Sequence, residues 1–221
     1  MNPVFPSILS TNFFDLEAKL RQFEKSGIEF IHLDVMDGHF VDQISFGPSL
    51  ARAIKARFPF AIDAHLMVSN PEKAIPHFIA AGADWLSFHA EAAADTAGLL
   101  GLIRASGRRA GLVLNPDTPL ERVRPFLGAA DYILLMSVFP GYGGQAFIPA
   151  TLERAAQLKR EMSGLKNPCL LQVDGGISSA NAALLRAAGA DLFVVGTSLF
   201  QAENIESTIE HFLNQLHWSR P

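Results

Sequence analysis

Short runs of apolar and β-branched residues alternate with longer segments of helical periodicity along the whole chain. This alternation is typical of repeated βα units that build a parallel sheet. Eight such runs are predicted as strands, at residues 4–9, 30–35, 61–67, 85–89, 110–114, 132–137, 170–173 and 192–195. Eight strands with eight helices predict an α/β fold in which residues 1–221 form a single-domain (β/α)₈ barrel, the TIM-barrel architecture.

A glycine followed closely by an acidic residue recurs before every second predicted strand. The four copies are Gly27–Glu29, Gly82–Asp84, Gly128–Asp131 and Gly189–Asp191. One αβ connection reused in alternate units would produce this repeat, and so would a preference for glycine at helix ends. Both explanations leave the βα alternation intact.

The composition restricts the class of partner. Hydrophobic residues make up 49% of the 221 positions, which supplies a large core, and the 18 lysines and arginines are scattered in a chain of net charge −4. We therefore expect neither a nucleic-acid nor a membrane partner, but a small molecule. Cys169 is the only cysteine and the chain starts without a secretory signal, so we expect a cytoplasmic protein.

Histidine and aspartate residues fall at the predicted strand ends, where barrels carry their reactive groups. His32 and Asp34 share one face of the second strand, His65 lies near the end of the third, and Asp174 follows the seventh. A single buried histidine is more often a hydrogen-bonded core residue, but four such groups together favour a metal site. The mixed nitrogen and oxygen set suits zinc, iron, manganese or cobalt. His89, at the end of the fourth strand, has no apparent partner.

Two carboxylates beside one metal ion fit proton transfer at a carbon next to a ketone. One carboxylate would remove the proton, the metal would stabilise the enediolate, and the second acid would return a proton to the opposite face. Hydrolysis would also use such groups, but Met36, Met67 and Met136 are predicted at the same mouth and would exclude water.

Three glycine-containing loops follow the last three strands, at residues 140–145, 174–177 and 195–198. Loops at this end of a barrel commonly bind phosphate through backbone N–H groups. None of the three contains lysine or arginine, so backbone amides and hydroxyl groups would have to hold the phosphate.

These motifs together resemble the ribulose-phosphate 3-epimerase family. The resemblance extends from PSILS near the start to VVGTSLF near the end, and its most specific segments are HLDVMDGHF, HLMVSNPE, PGYGGQ and VDGGI. It implies a barrel enzyme of the pentose phosphate pathway that interconverts D-ribulose 5-phosphate and D-xylulose 5-phosphate, with one divalent metal ion per subunit. We also expect a homo-oligomer.

The resemblance implies a role for each matching residue. Asp34 and Asp174 would be the catalytic acid/base pair, and the metal ligands would be His32, Asp34, His65 and Asp174. Substrate and phosphate would contact Ser7, His65, Gly141, Tyr142, Gly143, Gly144, Asp174, Gly175, Gly176, Gly196 and Thr197. The apolar shield of the family would be Met36, Met67 and Met136.

This sequence departs from the family pattern at four positions over the site. Asp42 and Gln43 replace a usual Pro-Asn pair, Tyr142 replaces a usual Phe, and Phe139 stands where a polar residue is common. Related allulose-6-phosphate 3-epimerases tend to carry Ala at the position of Gly143 and Ser at that of Gly176, so the two glycines favour a pentulose substrate.

Two other classes of function fit a barrel with phosphate loops. A decarboxylase or aldolase would usually need a lysine in the site, and no lysine occurs at a predicted strand end. A sensor that binds a phosphosugar without converting it would need no acid/base pair, so loss of function on changing Asp174 to Asn distinguishes an enzyme from a sensor.

Overall fold

Eight parallel strands form a closed barrel in the computed structural model, which describes residues 1–218. Hydrogen-bonded neighbours follow the order β1-β8-β7-β6-β5-β4-β3-β2, and a parallel bridge between Ser7 and His32 joins the two ends of this series. The predicted barrel is confirmed. The strands are β1 Val4–Pro6, β2 Phe30–Met36, β3 Ala61–Met67, β4 Trp85–His89, β5 Arg109–Leu114, β6 Tyr132–Met136, β7 Leu170–Asp174 and β8 Leu192–Val195.

The helices surround the barrel, but one unit departs from the predicted alternation. The α-helices are α1 Leu16–Lys25, α2 Pro48–Arg57, α3 Pro71–Ala80, α4 Thr96–Ala105, α5 Thr151–Ser163, α6 Ala182–Ala187, α7 Thr197–Phe200 and α8 Ile205–Gln215. Between β5 and β6 all residues are described, and they form two 3₁₀ turns, Leu120–Arg122 and Arg124–Phe126, instead of an α-helix. Pro119 and Pro125 lack the N–H groups that a continuous helix needs. The prediction of one helix after each strand was wrong here.

Within residues 1–218, no helix combines the length and the apolar character that crossing a membrane requires.

The first strand is shorter than predicted. It ends at Pro6 because the Ser7 side chain accepts a hydrogen bond from the Leu9 N–H and caps a 3₁₀ turn over Ile8–Ser10. Local side-chain bonding of this kind competes with the strand conformation. As a result Ser7 lies at the mouth of the barrel.

The recurring acidic residues each accept a backbone N–H at the start of the preceding strand or just before it. Asp84 accepts from Ile62, Asp131 from Ala110 and Asp191 from Leu171, at 2.8 to 2.9 Å. Glu29 accepts from Asn2 at 3.2 Å. The glycine-acid repeat therefore marks a reused connection that ties successive strands together, and is more than a helix terminator.

Three apolar clusters are buried in the structure. The first lies between the sheet and the helices, the second fills the barrel interior, and the third is a small cluster of Met36, Val41 and Met67. Aromatic rings occupy the interior near the strand starts, where Phe5 stacks on Phe30 at 4.5 Å and Trp85 packs against Tyr132 at 4.9 Å between ring centroids. These rings form an aromatic floor that closes one end of the barrel, and the buried polar groups of the interior lie toward the other end.

Gly111 in β5 makes space for the Tyr132 ring on the neighbouring strand. A Cβ atom at Gly111 would lie 2.3 Å from Tyr132 Cζ, so we expect Gly111→Ala to displace the ring and to lower the free energy of unfolding by about 1–3 kcal/mol. Gly101→Ala in α4 is the control, because its Cβ meets no atom within 4 Å and alanine favours a helix. Urea denaturation of both variants measures the free energy of unfolding. Equal stability of the two variants would contradict the packing described.

Candidate functional site

A cavity of about 230 Å³ opens at the carboxyl ends of the strands. Most of the residues predicted for the site line it: Ser7, Asp34, Met36, Met67, Met136, Gly141, Tyr142, Gly143, Gly144, Asp174, Gly175, Gly176, Gly196 and Thr197. The remaining two, His32 and His65, are fully buried and contact the cavity carboxylates. The described lining contains no lysine or arginine. The fold thus brings together every residue that the sequence predicted for the site.

Two histidines and two aspartates form a compact donor cluster. Each of His32, Asp34, His65 and Asp174 offers one ligand atom, and these four atoms all lie within 4.8 Å of one another. His65 Nδ1 lies 3.2 Å from Asp34 Oδ1 and 3.6 Å from Asp174 Oδ2. Asp34 and Asp174 come from strands that are separated around the barrel by β1 and β8. The cluster therefore depends on barrel closure.

Asp63 orients His32 from below. His32 Nδ1 lies 2.9 Å from Asp63 Oδ2, and that carboxylate also accepts hydrogen bonds from the Tyr132 hydroxyl and the Gln172 amide, both at 2.8 Å. His32 Nε2 is left facing Asp34 Oδ1 at 3.4 Å. The sequence prediction missed Asp63, although alternation along β3 places it on the same face as His65.

His89 has partners, contrary to the sequence prediction. Its Nε2 lies 2.9 Å from His65 Nε2, and its Nδ1 lies 3.4 Å from Glu91 Oε2. Burial lowers the pKa of His89 to about 4. A second buried group therefore supports each histidine of the donor cluster.

The two carboxyl groups of the cluster differ in proton affinity. Burial raises the pKa of Asp174, and the neighbouring Asp34 carboxylate raises it further. Burial also acts to raise the pKa of Asp34, but the charge on the adjacent His32 and the contact with His65 outweigh it and hold the pKa of Asp34 well below its usual range. In the chain alone, Asp34 is ionised and Asp174 holds a proton more readily. Such a divergence within a pair is a common signature of acid/base function.

The donor set fits a divalent cation. His32 Nε2 is buried and has no hydrogen-bond partner among the described residues, while its other nitrogen is held by Asp63. A buried lone pair beside two carboxylates needs a proton or a cation. Two imidazole nitrogens and two carboxylate oxygens match the ligand preferences of zinc, iron, manganese and cobalt. The four residues can therefore hold one divalent metal ion.

Ser7 and the three predicted methionines surround the carboxylates. The Ser7 hydroxyl donates to Asp34 Oδ2 at 2.5 Å. Met36, Met67 and Met136 are at most 3% exposed and all line the cavity. The carboxylates thus face a cavity whose apolar lining includes three thioethers.

The glycine loops pack too closely for other residues at two positions. Gly175 and Gly176 have φ angles of 114° and 62°, and a Cβ atom would lie 2.4 Å from Val138 and 2.7 Å from the Phe147 backbone nitrogen, respectively. Gln145, whose role sequence reasoning missed, donates from its side-chain amide to the Phe139 and Tyr142 carbonyls. The loop after β6 is therefore held from inside.

Backbone donors remain available around the cavity. Among the described residues, the N–H groups of Gly144, Gly176 and Gly196 have no hydrogen-bond acceptor. The hydroxyl groups of Ser10 and Thr197 lie 3.3 Å apart beside them. Uncharged donors thus collect on one side of the cavity.

The unusual residues over the site lie on two loops that touch. Phe139 and Tyr142 line the cavity and are 51% and 59% exposed. Asp42 and Gln43 belong to the loop after β2, where the Gln43 carbonyl accepts from Gly38 N–H. Val41 of that loop lies against Gly141. The substitutions therefore alter the rim and leave the donor cluster in place.

Comparison with known proteins gives one family. The model of the ribulose-phosphate 3 epimerase family matches residues 3–200. Ribulose-phosphate 3-epimerase of Aquifex aeolicus is 42% identical over 207 residues, covering 94% of this chain and 93% of that protein. The enzyme of the same name from Escherichia coli is 38% identical over 214 residues, covering 96% of this chain and 95% of that protein.

Solved structures with lower identity share the fold. The 3-hexulose-6-phosphate synthase of Salmonella typhimurium has a TM-score of 0.70 at 16% identity and covers 97% of this chain and 98% of its own. KGPDC from Streptococcus mutans has a TM-score of 0.71 at 14% identity, with 98% of both chains covered. At these identities the likeness is one of architecture.

The donor cluster predicts one divalent ion per chain. We expect His32→Gln and His65→Gln each to lower Zn²⁺ affinity by more than about 100-fold, since even residues that only support a ligand typically contribute 10- to 100-fold. His211→Gln, on the exposed face of α8, is the matched control and should bind like the wild type. Chelator competition and elemental analysis measure the affinity and the stoichiometry. Unchanged affinity in both cluster variants would contradict the assignment of the cluster as a metal site.

Proposed function

This chain belongs to the ribulose-phosphate 3 epimerase family, and we propose that it interconverts D-ribulose 5-phosphate and D-xylulose 5-phosphate by moving a proton between the two faces of C3. The reaction classes the protein as an isomerase. One observation supports the mechanism above all: Asp34 and Asp174 reach the same cavity from different strands of the barrel and belong to a donor cluster whose ligand atoms lie within 4.8 Å of one another. We also propose that residues 1–221 act as one catalytic domain.

The acid/base cycle follows from one proton shared by two carboxyl groups. In one direction an ionised carboxylate takes the C3 proton, the electron pair moves into an enediolate, and the protonated partner delivers its proton to the opposite face of C3. The proton then resides on the first carboxyl group. The reverse reaction starts from that state, whereas a second forward turnover first requires the first carboxyl group to lose its proton and the second to gain one by exchange with solvent.

The four cluster residues would hold one divalent metal ion. When bound, the ion would supply a Lewis acid that stabilises negative charge developing on the substrate oxygens. Ser7 holds Asp34 in place through its 2.5 Å hydrogen bond, and Asp63 fixes the ring of His32. These contacts limit the movement of the base during proton transfer.

The methionines protect the intermediate from water. Met36, Met67 and Met136 present nearly buried thioethers to the cavity that both carboxylates face. Soft, flexible side chains can follow the change at C3 from tetrahedral to planar geometry. Exclusion of water also strengthens the electrostatic interactions around the enediolate.

The phosphate would bind where uncharged donors collect. The free N–H groups of Gly144, Gly176 and Gly196 and the hydroxyls of Ser10 and Thr197 lie on this side of the cavity, and no described lining residue is a lysine or an arginine. Backbone amides in glycine-rich turns form anion-binding concavities. The absence of lysine from the lining also gives no support to an aldolase or a decarboxylase.

A homo-oligomer in the cytoplasm completes the proposal. Phe13, Phe14 and Ile44 lie near the mouth and are 63%, 100% and 78% exposed, which suits contact with a second copy. The identity of the metal depends on availability as well as on the donors, because the ligand set accepts zinc, iron, manganese or cobalt.

Removal of one carboxylate should separate proton exchange from epimerisation. We expect Asp34→Asn and Asp174→Asn each to lower kcat by about 10²- to 10⁴-fold, because each removes one of the two proton carriers. Each variant should still exchange the C3 hydrogen of one epimer with heavy water, and the two variants should favour opposite epimers. NMR of the sugar phosphates in heavy water measures both quantities.

Asp95→Asn, which keeps the N-cap of α4, is the matched control and should retain full turnover. Metal content of each variant is measured in parallel, so that loss of metal is not mistaken for loss of a base. Full epimerisation by either cluster variant would contradict the two-base proposal. A phosphosugar sensor would bind the sugar phosphate without any exchange in the wild type.

A methyl group at Gly143 should weaken phosphate binding. The added Cβ would lie 3.1 Å from Ser10 Oγ and 3.9 Å from Thr197 Oγ1, between the two hydroxyls. Loss of one hydrogen bond to a charged group corresponds to roughly tenfold or more in kcat/KM. We expect Gly143→Ala to show this loss with D-ribulose 5-phosphate but not with D-ribulose. Gly128→Ala, with open space at its Cβ, is the control, and an equal loss with both sugars would contradict the assignment of the phosphate site.

A further inference from the structure

Behind His65, on the side away from the cavity, lies a row of buried polar groups that the proton transfer does not use. His65 Nε2 contacts His89 Nε2 at 2.9 Å, and His89 Nδ1 lies 3.4 Å from Glu91 Oε2. Both rings are fully buried, and the Glu91 side chain is 21% exposed. Among the described residues His89 Nδ1 and Glu91 Oε2 have no hydrogen-bond partner, and the two atoms face each other at 3.4 Å.

The contact between the two rings needs one proton, which either ring can supply. If His65 carries it on Nε2, then His89 accepts on Nε2 and, as a neutral ring, has its own proton on Nδ1, facing Glu91. If instead His89 donates from Nε2, its Nδ1 lone pair faces the Glu91 carboxylate, and a neutral His65 then carries its proton on Nδ1. The second arrangement sets two acceptors against each other at 3.4 Å. The first sets the His65 Nδ1 lone pair against Asp34 Oδ1 at 3.2 Å, a conflict that a cation held between them removes.

The choice matters because Nδ1 is the nitrogen of His65 that faces Asp34 and Asp174. A ligand nitrogen must present its lone pair to the ion. His32 faces the cluster with Nε2 and so must be the opposite tautomer, with its proton on Nδ1 toward Asp63. The two histidines of the cluster therefore need different hydrogen-bond partners to select their tautomers.

We infer that Glu91, acting through His89, is a positioning residue that keeps the proton of His65 on Nε2 and so turns the Nδ1 lone pair toward the donor cluster. This inference rests on the proposed role of His65 as a metal ligand. The Glu91 carboxylate then supports His65 through the ring of His89, whereas the Asp63 carboxylate contacts His32 directly. Carboxylate support of a ligand histidine fixes its tautomer and orientation.

Glu91 is itself held so that only one oxygen can face His89. Its Oε1 accepts from the Asn115 N–H at 2.9 Å and from the Thr118 hydroxyl at 2.5 Å. Arg154 donates to the carbonyls of Asn115 and Thr118 and so fixes that loop. On the other side, the Phe40 ring lies 4.6 Å from the His89 ring and limits its rotation. The array is rigid from the loop to the cluster.

This geometry makes Glu91→Gln a sharp test. The two donors at the Oε1 position require the amide oxygen there, which places the amide NH₂ against His89 Nδ1. His89 must then accept on Nδ1 and donate from Nε2, so that the proton of His65 moves to Nδ1. The variant should therefore reverse both tautomers without changing the shape of the side chain.

Nitrogen-15 NMR of the Zn²⁺-loaded protein at alkaline pH reads the tautomers directly. We expect the His89 proton on Nδ1 in the wild type and on Nε2 in Glu91→Gln, together with a fall in Zn²⁺ affinity of about 10- to 100-fold by chelator competition. Glu153→Gln, on the exposed face of α5, is the matched control and should change neither quantity. A merely structural role of Glu91 would lower thermal stability and leave the tautomers as they are.

An unchanged tautomer or an unchanged Zn²⁺ affinity in a folded Glu91→Gln protein would overturn the inference. If that variant fails to fold, the wild-type spectrum still decides, because a wild-type His89 protonated on Nε2 contradicts the proposal. Neither readout depends on turnover. Failure of the wild type to epimerise would therefore refute the proposed function while leaving this assignment to be judged on its own data.

Discussion

Asp34 and Asp174 are buried side by side at the mouth of a barrel, with no lysine or arginine in the described lining of their cavity. Two like charges at short range in a poorly solvated site cannot both remain ionised without compensation. A shared proton, the neighbouring imidazoles or a divalent cation can provide it. Much of the polar part of the site follows from this requirement. Ser7 donates to Asp34, His65 contacts both carboxyl groups, and Asp63 holds the ring of His32 beside them.

The barrel interior supports the two carboxyl groups with stacked layers of inward-facing side chains. Alternation along β2, β3 and β7 directs every second side chain inward, which stacks the donor cluster above Asp63 and Gln172, and these above the aromatic floor. Gly111 admits the Tyr132 ring, whose hydroxyl reaches up to Asp63. The bridge between Ser7 and His32 closes the barrel at the height of the cluster. The same packing contacts therefore stabilise the barrel interior and fix the geometry of the site.

Much of this could be predicted from the sequence, because period-two alternation and strand ends depend on local pattern. That rule places His32 and Asp34 on one face, and the apolar runs predict the eight strands. Other features depend on contacts across the fold. Nothing local distinguishes Asp63, a supporting carboxylate, from a core acid, and the partners of His89 lie on β3 and beyond β4. The helix expected after β5 does not form, because Pro119 and Pro125 lack the N–H groups that a continuous helix needs.

The central claim is that two different groups handle the proton on the two faces of C3. It is tested most directly by following the wild-type reaction from D-ribulose 5-phosphate in heavy water over its first turnovers. Two bases predict that the D-xylulose 5-phosphate formed carries deuterium at C3 from the start, because its new hydrogen comes from the second carboxyl group and ultimately from solvent. Early product that retains the original C3 proton would mean that one group carries it across, and would contradict the account.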